Sequence, residues 1–256
     1  KILGWLYLDK VHGSGRFRKE VIDLVSAIGH YSAAEVARHR LTRRAIDLSR
    51  FLSADVIKHV EEVGAELSAK EQQVTVLFSD IKGFTTMSEK LDPSGVKRLL
   101  DDYFERMTEI LLDKYDGTLD KYIGDAIMAL FGAPFSKGAA EDARRAVGAA
   151  VDMRDAIEVL RREKAEYASF QVRIGVNTGR MVAGMLGSRR RLEYSVIGDA
   201  VNVASRLESS GEPGRIQIGE STYELVKDAF ACESAGERGL KNRERPVRAW
   251  WVTGKI

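Results

Sequence analysis

Apolar positions recur at two different periods along this chain, and the change of period predicts where it divides. Leu3 to Leu8 alternates and is rich in large apolar residues, which predicts a strand closed by a turn at Gly13 to Gly15. From about Lys19 to Val63 only Gly29 interrupts the run, and Leu24, Ile28, Tyr31, Leu41, Ala45, Leu48 and Leu52 fall at helical spacing. The last four, spaced four, three and four apart, form a short heptad seam that suits pairing with a second copy. An amphipathic helix lying on its own domain has the same pattern. Arg38, Arg40, Arg43, Arg44 and Arg50 read as its solvated face. Val63 to Lys70 holds a glycine and few apolar anchors, so the main boundary is expected near residue 70.

Beyond it the elements shorten and alternate. A β-branched strand is expected at Val74 to Phe78, an amphipathic helix at Gly95 to Tyr115, and two strands, Gly117 to Tyr122 and Ala126 to Phe131, joined by a tight Ile-Gly-Asp turn. A long helix follows at about Ala139 to Glu166, then a strand at Phe170 to Asn177. Strand, helix, strand, strand, helix, strand is the order of the split βαβ motif, so the fold class expected is α+β, a ferredoxin-like antiparallel sheet covered by helices and preceded by a long helix. Additional elements come after it: strands near Leu192 to Val196, Arg215 to Ile218, Ala231 to Glu233 and Val247 to Val252, and helices at Asp199 to Ser209 and Glu220 to Lys227.

Composition narrows the function classes. An apolar fraction of 44% with 30% charged residues is that of a soluble globular protein. The formal net charge of +2 gives no field of the kind that coats nucleic acid or an anionic membrane, so nucleic acid is not an expected partner. The lone thiol, Cys232, cannot form an internal disulfide or a multi-cysteine metal site, and a reducing, cytoplasmic setting fits it. Lys1 to Asp9 is too short an apolar run to span a bilayer. A first residue that is Lys inside an apparent strand leads us to expect a longer parent chain, whose other parts could carry an anchor.

The candidate chemistry lies after residue 70. Asp80 follows the strand VTVLF after one serine, and Asp125 sits in the turn between two strands, so a rigid sheet can aim both. In this topology the two carboxylates come close, and such a pair needs a proton or cations between its members. Hard ions such as Mg²⁺ or Mn²⁺, held by few carboxylates, complete their shells with water and phosphate oxygens, the arrangement of two-metal phosphoryl or nucleotidyl displacement. Aspartates at strand ends also serve as turn caps, and the pair alone does not decide. After Asp80, Gly83 permits a tight turn, and the residues up to Met87 and Ser88 can open a helix whose free N–H groups suit a polyphosphate. The run GVNTGRMVAGMLG, with four glycines between Gly175 and Gly187, is neither a dinucleotide fingerprint nor a Lys-Ser/Thr phosphate loop, and close backbone packing is the reading preferred for it. Asn202 and Arg206, four apart on one helix face, offer an amide for a ribose or base and a guanidinium for a phosphate; a capped surface helix would look alike.

Four segments together carry a resemblance. VTVLFSDIKGFT at 74 to 85, LDKYIGDAIMALFG at 119 to 132, VRIGVNTGRMVAGMLG at 172 to 187 and YSVIGDAVNVASRLE at 194 to 208 look like the class III adenylyl and guanylyl cyclase catalytic domain, over about residues 70 to 254. The resemblance implies a head-to-tail homodimer with active sites at its interface. Asp80 and Asp125, with Ile81, would hold two Mg²⁺ or Mn²⁺ ions, and Phe84 and Thr85 would line the substrate. Lys121 matches the family lysine that reads adenine at N1, and Ser195 the second base-selecting position, where a hydroxyl can accept from the adenine amine. Guanylyl cyclases usually place Glu and Cys at these two positions, so ATP is the implied substrate and cyclic AMP the product. The hydroxyl also points to a subgroup that includes bicarbonate-stimulated enzymes. Asn202 would orient the ribose, Arg206 would stabilise charge at the α-phosphate, and in GLKNRERPV Arg243, or failing it Lys241, would meet the terminal phosphates.

Residues 1–30 resemble the terminal strand and helix of a GAF sensory domain, and 31–69 the helical connector that precedes such cyclase domains, with RFLSADVIKHV at 50 to 60 like the short helical piece often found ahead of bacterial members. Three alternatives stand beside the adenylate cyclase reading. One is cyclisation of GTP. Another is the related joining of two GTP molecules, whose acidic Gly-Gly motif is missing from the Tyr122 to Ala126 turn. The third is a silent dimerisation or nucleotide-binding module, against which every matched position is chemically intact.

Overall fold

Backbone contacts divide the chain, here a computed structural model, into two units, Lys1–Arg50 and Phe51–Ile256. Residues 68–84, 88–89, 91–163, 167–168, 170–188, 191–239 and 246–256 are described, with isolated positions between 19 and 32 that are helical. Apart from these positions, the strand at Leu3 to Leu8, the heptad seam, the GAF-like fragment over 1–30, the connector over 31–69 and the piece at 50 to 60 lie outside the described residues.

The second unit holds β1 (Lys70–Ile81), α1 (Pro93–Glu109), β2 (Thr118–Ile123), β3 (Ala126–Phe131), α2 (Ala139–Glu163), β4 (Val172–Ser188), β5 (Arg191–Ile197), α3 (Asp199–Ser209), β6 (Ile216–Gly219), α4 (Glu220–Val226), β7 (Phe230–Arg238) and β8 (Val247–Lys255). The strands form one sheet in the order β2-β3-β1-β4-β6-β8-β7, with β5 hairpinned onto β4. β2-β3-β1-β4 is the antiparallel split βαβ core expected from the sequence, and the later strands extend it past β4 through a parallel β4–β6 pair.

Local chemistry explains the helices. Asp92 caps α1 by accepting from Gly95 N at 2.9 Å, Pro93 stands where its missing N–H costs nothing, and Leu99, Tyr103 and Met107 recur every four residues on the buried face. α1 stops at Glu109, short of the predicted end; Ile110–Lys114 continues as a π-helical turn, closed by Gly117 N donating to Leu111 O at 2.8 Å. α2 presents Ala143, Ala146, Val147, Ala150, Met153 and Ile157 to the sheet, and its alanines let the helix approach closely.

Alternation along the strands then sorts the two faces. Ile174 and Val176 of β4 join Leu77 and Ile81 of β1 in the core under α1 and α2. The intervening Gly175 and Gly179 lie against α3 on the other face, where a Cβ at Gly175 would stand 2.2 Å from Glu208 N. Close backbone packing is therefore what this glycine-rich segment does. Its second half is also strand rather than turn, because β1 pairs with β4 as far as Ala183 and β5 pairs with the rest. Among the described residues no helix is long and apolar enough to cross a membrane.

Candidate active site

Two groups of polar side chains gather at the β1–β3–β4 end of the sheet and on the β2–β5 edge. In the first, Ser79 turns into the core, where its hydroxyl meets Tyr103 Oη at 3.2 Å, so the next residue, Asp80, faces the α3 side. Asp80 stands opposite Arg173 in the β1–β4 ladder and accepts from Arg173 Nη2 at 2.5 Å. The same guanidinium lies 3.1 Å from Glu208 Oε1 at the end of α3, and its Nη1 donates to Ser209 O at 3.2 Å. Asp125 follows Gly124, whose φ of 65° makes the β2–β3 turn, and its carboxyl hydrogen-bonds to Asp80 and to the backbone N–H of Ile81.

Asp80 and Glu208 thus share one guanidinium, and Asp125 stands beside Asp80. Burial, then the hydrogen bond and charge of Asp80, push Asp125 up to about 6. Burial pushes Glu208 up to about 7 despite Arg173, with Asp80 and Asp125 adding to the rise. Burial leads both shifts and the neighbouring carboxyl charges add to it, so a bound cation would relieve the crowded negative charge. The described residues contain no set of three or more His, Cys, Asp or Glu disposed to hold a metal, so a cation here would rely on the Asp80 and Asp125 carboxylates with backbone and substrate oxygens. The all-oxygen donor set and the crowded negative charge fit Mg²⁺ or Mn²⁺.

In the second group Lys121 Nζ lies 3.3 Å from Glu193 Oε2, and Ser195 Oγ donates to Asp120 Oδ2 at 2.7 Å. The two base-selecting candidates, far apart in sequence, are brought together through this acidic pair. Burial holds the Asp120 carboxyl above the usual range, against the opposing hydrogen bond from Ser195 and charge of Lys121.

Asn202 is exposed and Arg206 half-buried on α3, and among the described residues neither side chain has a hydrogen-bond or ion-pair partner. Phe84 packs at the edge of the main core. Thr85, Lys241 and Arg243 lie outside the described residues. The sequence reading missed Arg173, Glu208 and Asp120. An arginine inside the apolar run VRIGV was a usable signal for the first; the other two are visible only once strands and helix are assembled.

Solved structures and curated proteins are similar to this chain in fold and sequence. The crystal structure of the adenylyl cyclase CyaB from P. aeruginosa is 40% identical with a TM-score of 0.71, over 74% of this chain and 97% of that one. The guanylate cyclase domain of RhGC from Catenaria anguillulae, in complex with GTP, is 32% identical with a TM-score of 0.67, over 73% of this chain and 100% of that one. An adenylate cyclase of Mycobacterium tuberculosis is 32% identical over 209 residues, which are 81% of this chain and 46% of the relative, so the chain spans about half the length of such curated proteins. Residues 67–254 match the family described as the adenylate and guanylate cyclase catalytic domain, and the chain belongs to that family of cyclic-nucleotide synthesising enzymes.

Proposed function

We propose that this domain is an adenylate cyclase, converting ATP to 3′,5′-cyclic AMP and pyrophosphate at the interface of a head-to-tail homodimer. The observation that carries the choice of ATP is the meeting of Lys121 and Ser195 in one polar cluster, an ammonium donor beside a hydroxyl. Adenine offers an acceptor at N1 and an amine donor at C6, which this pair complements.

Asp80 and Asp125, with the Ile81 backbone, would hold two Mg²⁺ or Mn²⁺ ions. When bound, such ions supply positive charge that acidifies the ribose 3′-hydroxyl and neutralises the polyphosphate. The chain's own groups do the rest. Asn202 orients the ribose, and Arg206 meets the charge that develops at the α-phosphate. Arg173, already ion-paired in the acidic cluster, adds a fixed positive charge there, and Arg243 or Lys241 takes the terminal phosphates. Phe84 and Thr85 line the substrate.

A homodimer is favoured by the unpartnered Asn202 and Arg206 and by the exposed apolar residues beside the base cluster, Tyr122 (43%), Ile123 (51%) and Ile197 (62%). Stimulation by bicarbonate belongs to the same reading through the hydroxyl at Ser195.

The test measures cyclic product from ATP and from GTP in separate reactions with Mn²⁺, with Asp80→Ala as control. Cyclic AMP lost in the variant is the expected result. Product from GTP alone would overturn the base assignment, and no product from a confirmed dimer would leave the silent-module reading in its place.

A further inference from the structure

β2 pairs with β3 through Thr118 and Leu119 and again from Lys121, but the register shifts between them, so Asp120 has no partner across the ladder. A bulge of this kind breaks the two-residue alternation and re-aims a side chain that a regular strand would send to the opposite face. Asp120 and Lys121 consequently stand side by side, with 3.7 Å between Oδ1 and Nζ. The Asp120 side chain has 0% exposure, and its Oδ1 has no hydrogen-bond partner among the described residues. Its Oδ2 accepts from the hydroxyl of Ser195, whose strand is reached through β4 and not through β2.

A serine hydroxyl carries one proton and two lone pairs, and an ionised carboxylate only accepts. With Asp120 ionised the direction of the 2.7 Å bond is fixed: the Ser195 O–H donates to Asp120, and the hydroxyl has lone pairs alone left for anything else. On the purine edge concerned, adenine shows an amine at C6, a donor, whereas guanine shows a carbonyl oxygen, an acceptor. A hydroxyl free to rotate serves both. One whose proton is committed serves only the amine and sets lone pair against lone pair with guanine.

We propose that Asp120 is a positioning residue for base choice: by accepting the hydrogen bond of the Ser195 O–H it makes that hydroxyl an obligate acceptor, matched to the 6-amino group of adenine. The assignment rests on the ATP reading above and names the group that enforces it. The bulge is what makes it possible, since it buries the carboxylate beside Lys121, where solvent does not compete for the serine proton.

The experiment compares kcat/KM for ATP, for GTP and for purine riboside triphosphate, which lacks the 6-amino group, in the full chain with Mn²⁺. The variants are Asp120→Ala, Asp120→Asn, Ser195→Ala and the Asp120→Ala/Ser195→Ala double. Ratios between substrates within one preparation do not depend on how much of a variant is folded. A site built around a hydrogen bond discriminates strongly against the analogue that lacks it, so Asp120→Ala should lower the ATP:GTP ratio about tenfold and shrink the preference for ATP over the purine riboside nucleotide. Asp120→Asn, whose amide keeps a carbonyl oxygen able to accept from Ser195, should leave the ratio nearer the wild-type value than Asp120→Ala does. In the Ser195→Ala background the Asp120 substitution should change neither ratio. Equal losses with ATP and GTP in Asp120→Ala, or an equal ratio change with and without Ser195, would overturn the inference and leave Asp120 a structural residue. A wild-type preference for GTP would overturn the underlying ATP reading, and it is seen in the unmutated chain alone.

Discussion

Substituting Gly175 by alanine tests how tightly the sheet and α3 are joined. The added Cβ would lie 2.2 Å from Glu208 N, 2.5 Å from Ala204 O and 2.8 Å from Glu208 Cα, where ordinary contacts begin at 3.4 Å. All three obstacles are backbone of α3, so no side chain can swing aside. α3 is further tied to β4 by Asn177 Nδ2 donating to Ala200 O at 3.0 Å and by the close approach of Ala200 to Gly179. Relief needs a withdrawal of about 1 Å by the whole helix end, and overpacking of this kind costs about 3 kcal/mol, the upper part of its usual range. For a domain of this size that corresponds to a fall in Tm of about 6–12 °C. Asn202 and Arg206 ride on the same helix, and a misplacement of about 1 Å can cost about 100-fold in rate. Thermal unfolding and initial rates of cyclic nucleotide formation read the two effects, with Gly254→Ala, which meets nothing within 4 Å, as the control. A Gly175→Ala protein with wild-type Tm and rate would refute the packing of α3 on β4.

Three further outcomes follow from other parts of the molecule. Asp142 is 1% exposed and binds Arg145 Nη2 at 2.5 Å, Ser136 Oγ and Lys137 N; Asp142→Asn should destabilise by about 3 kcal/mol, the low end for a broken buried pair, because Arg145 keeps the carbonyls of Tyr115 and Asp116. Burial raises the Asp152 carboxyl, but hydrogen bonds from Lys114, Lys255 and Tyr115 outweigh it and hold the group at about 2, against 3.8 unperturbed. A depressed carboxyl stabilises above its unfolded pKa and loses that contribution as pH falls from about 4 to about 2; with the cluster partly exposed it is worth about 1 kcal/mol, so the Tm gap between wild type and Asp152→Asn should be present at pH 7 and close in acid. Mn²⁺ at 100-fold its dissociation constant should stabilise the folded protein by about 2.7 kcal/mol and raise Tm by several degrees, and a matching rise in Asp80→Ala would remove that residue from the metal set.

The core elements were legible because their signals are local. Asp92-Pro93 announces α1, and the β-branched run at Val74 to Phe78 marks β1, although its polar lead, Lys70 to Gln73, gave no sign that it pairs with β4. The strand expected at Phe170 to Asn177 runs on to Ser188, and its glycines serve a helix that must come within contact distance of the backbone. The π-helical turn after Glu109 was hidden because Ile110 and Leu111 keep an apolar helical pattern that α-helix and π-turn share.

The site divides along the same line. Asp80, Asp125, Asn202 and Arg206 stand in segments whose local pattern shows them at a strand end, a turn or one helix face, whereas Lys121 and Ser195 are singled out only by the resemblance to the cyclase family. Arg173 and Glu208 acquire meaning only from assembly: one lies opposite Asp80 in a ladder, and the other is carried to it by α3 across two close-packed glycines. Asp120 is the sharpest case. Strict alternation would send it and Lys121 to opposite faces, and nothing in LDKYIG shows a bulge, because a bulge is a property of two strands and not of one. Asp120 and its bond to Ser195 were therefore unreadable from the chain, while the family resemblance marks Lys121 and Ser195 themselves. Chemistry that touches a substrate leaves its mark in residue types. Chemistry that aims those residues is written in the register between strands.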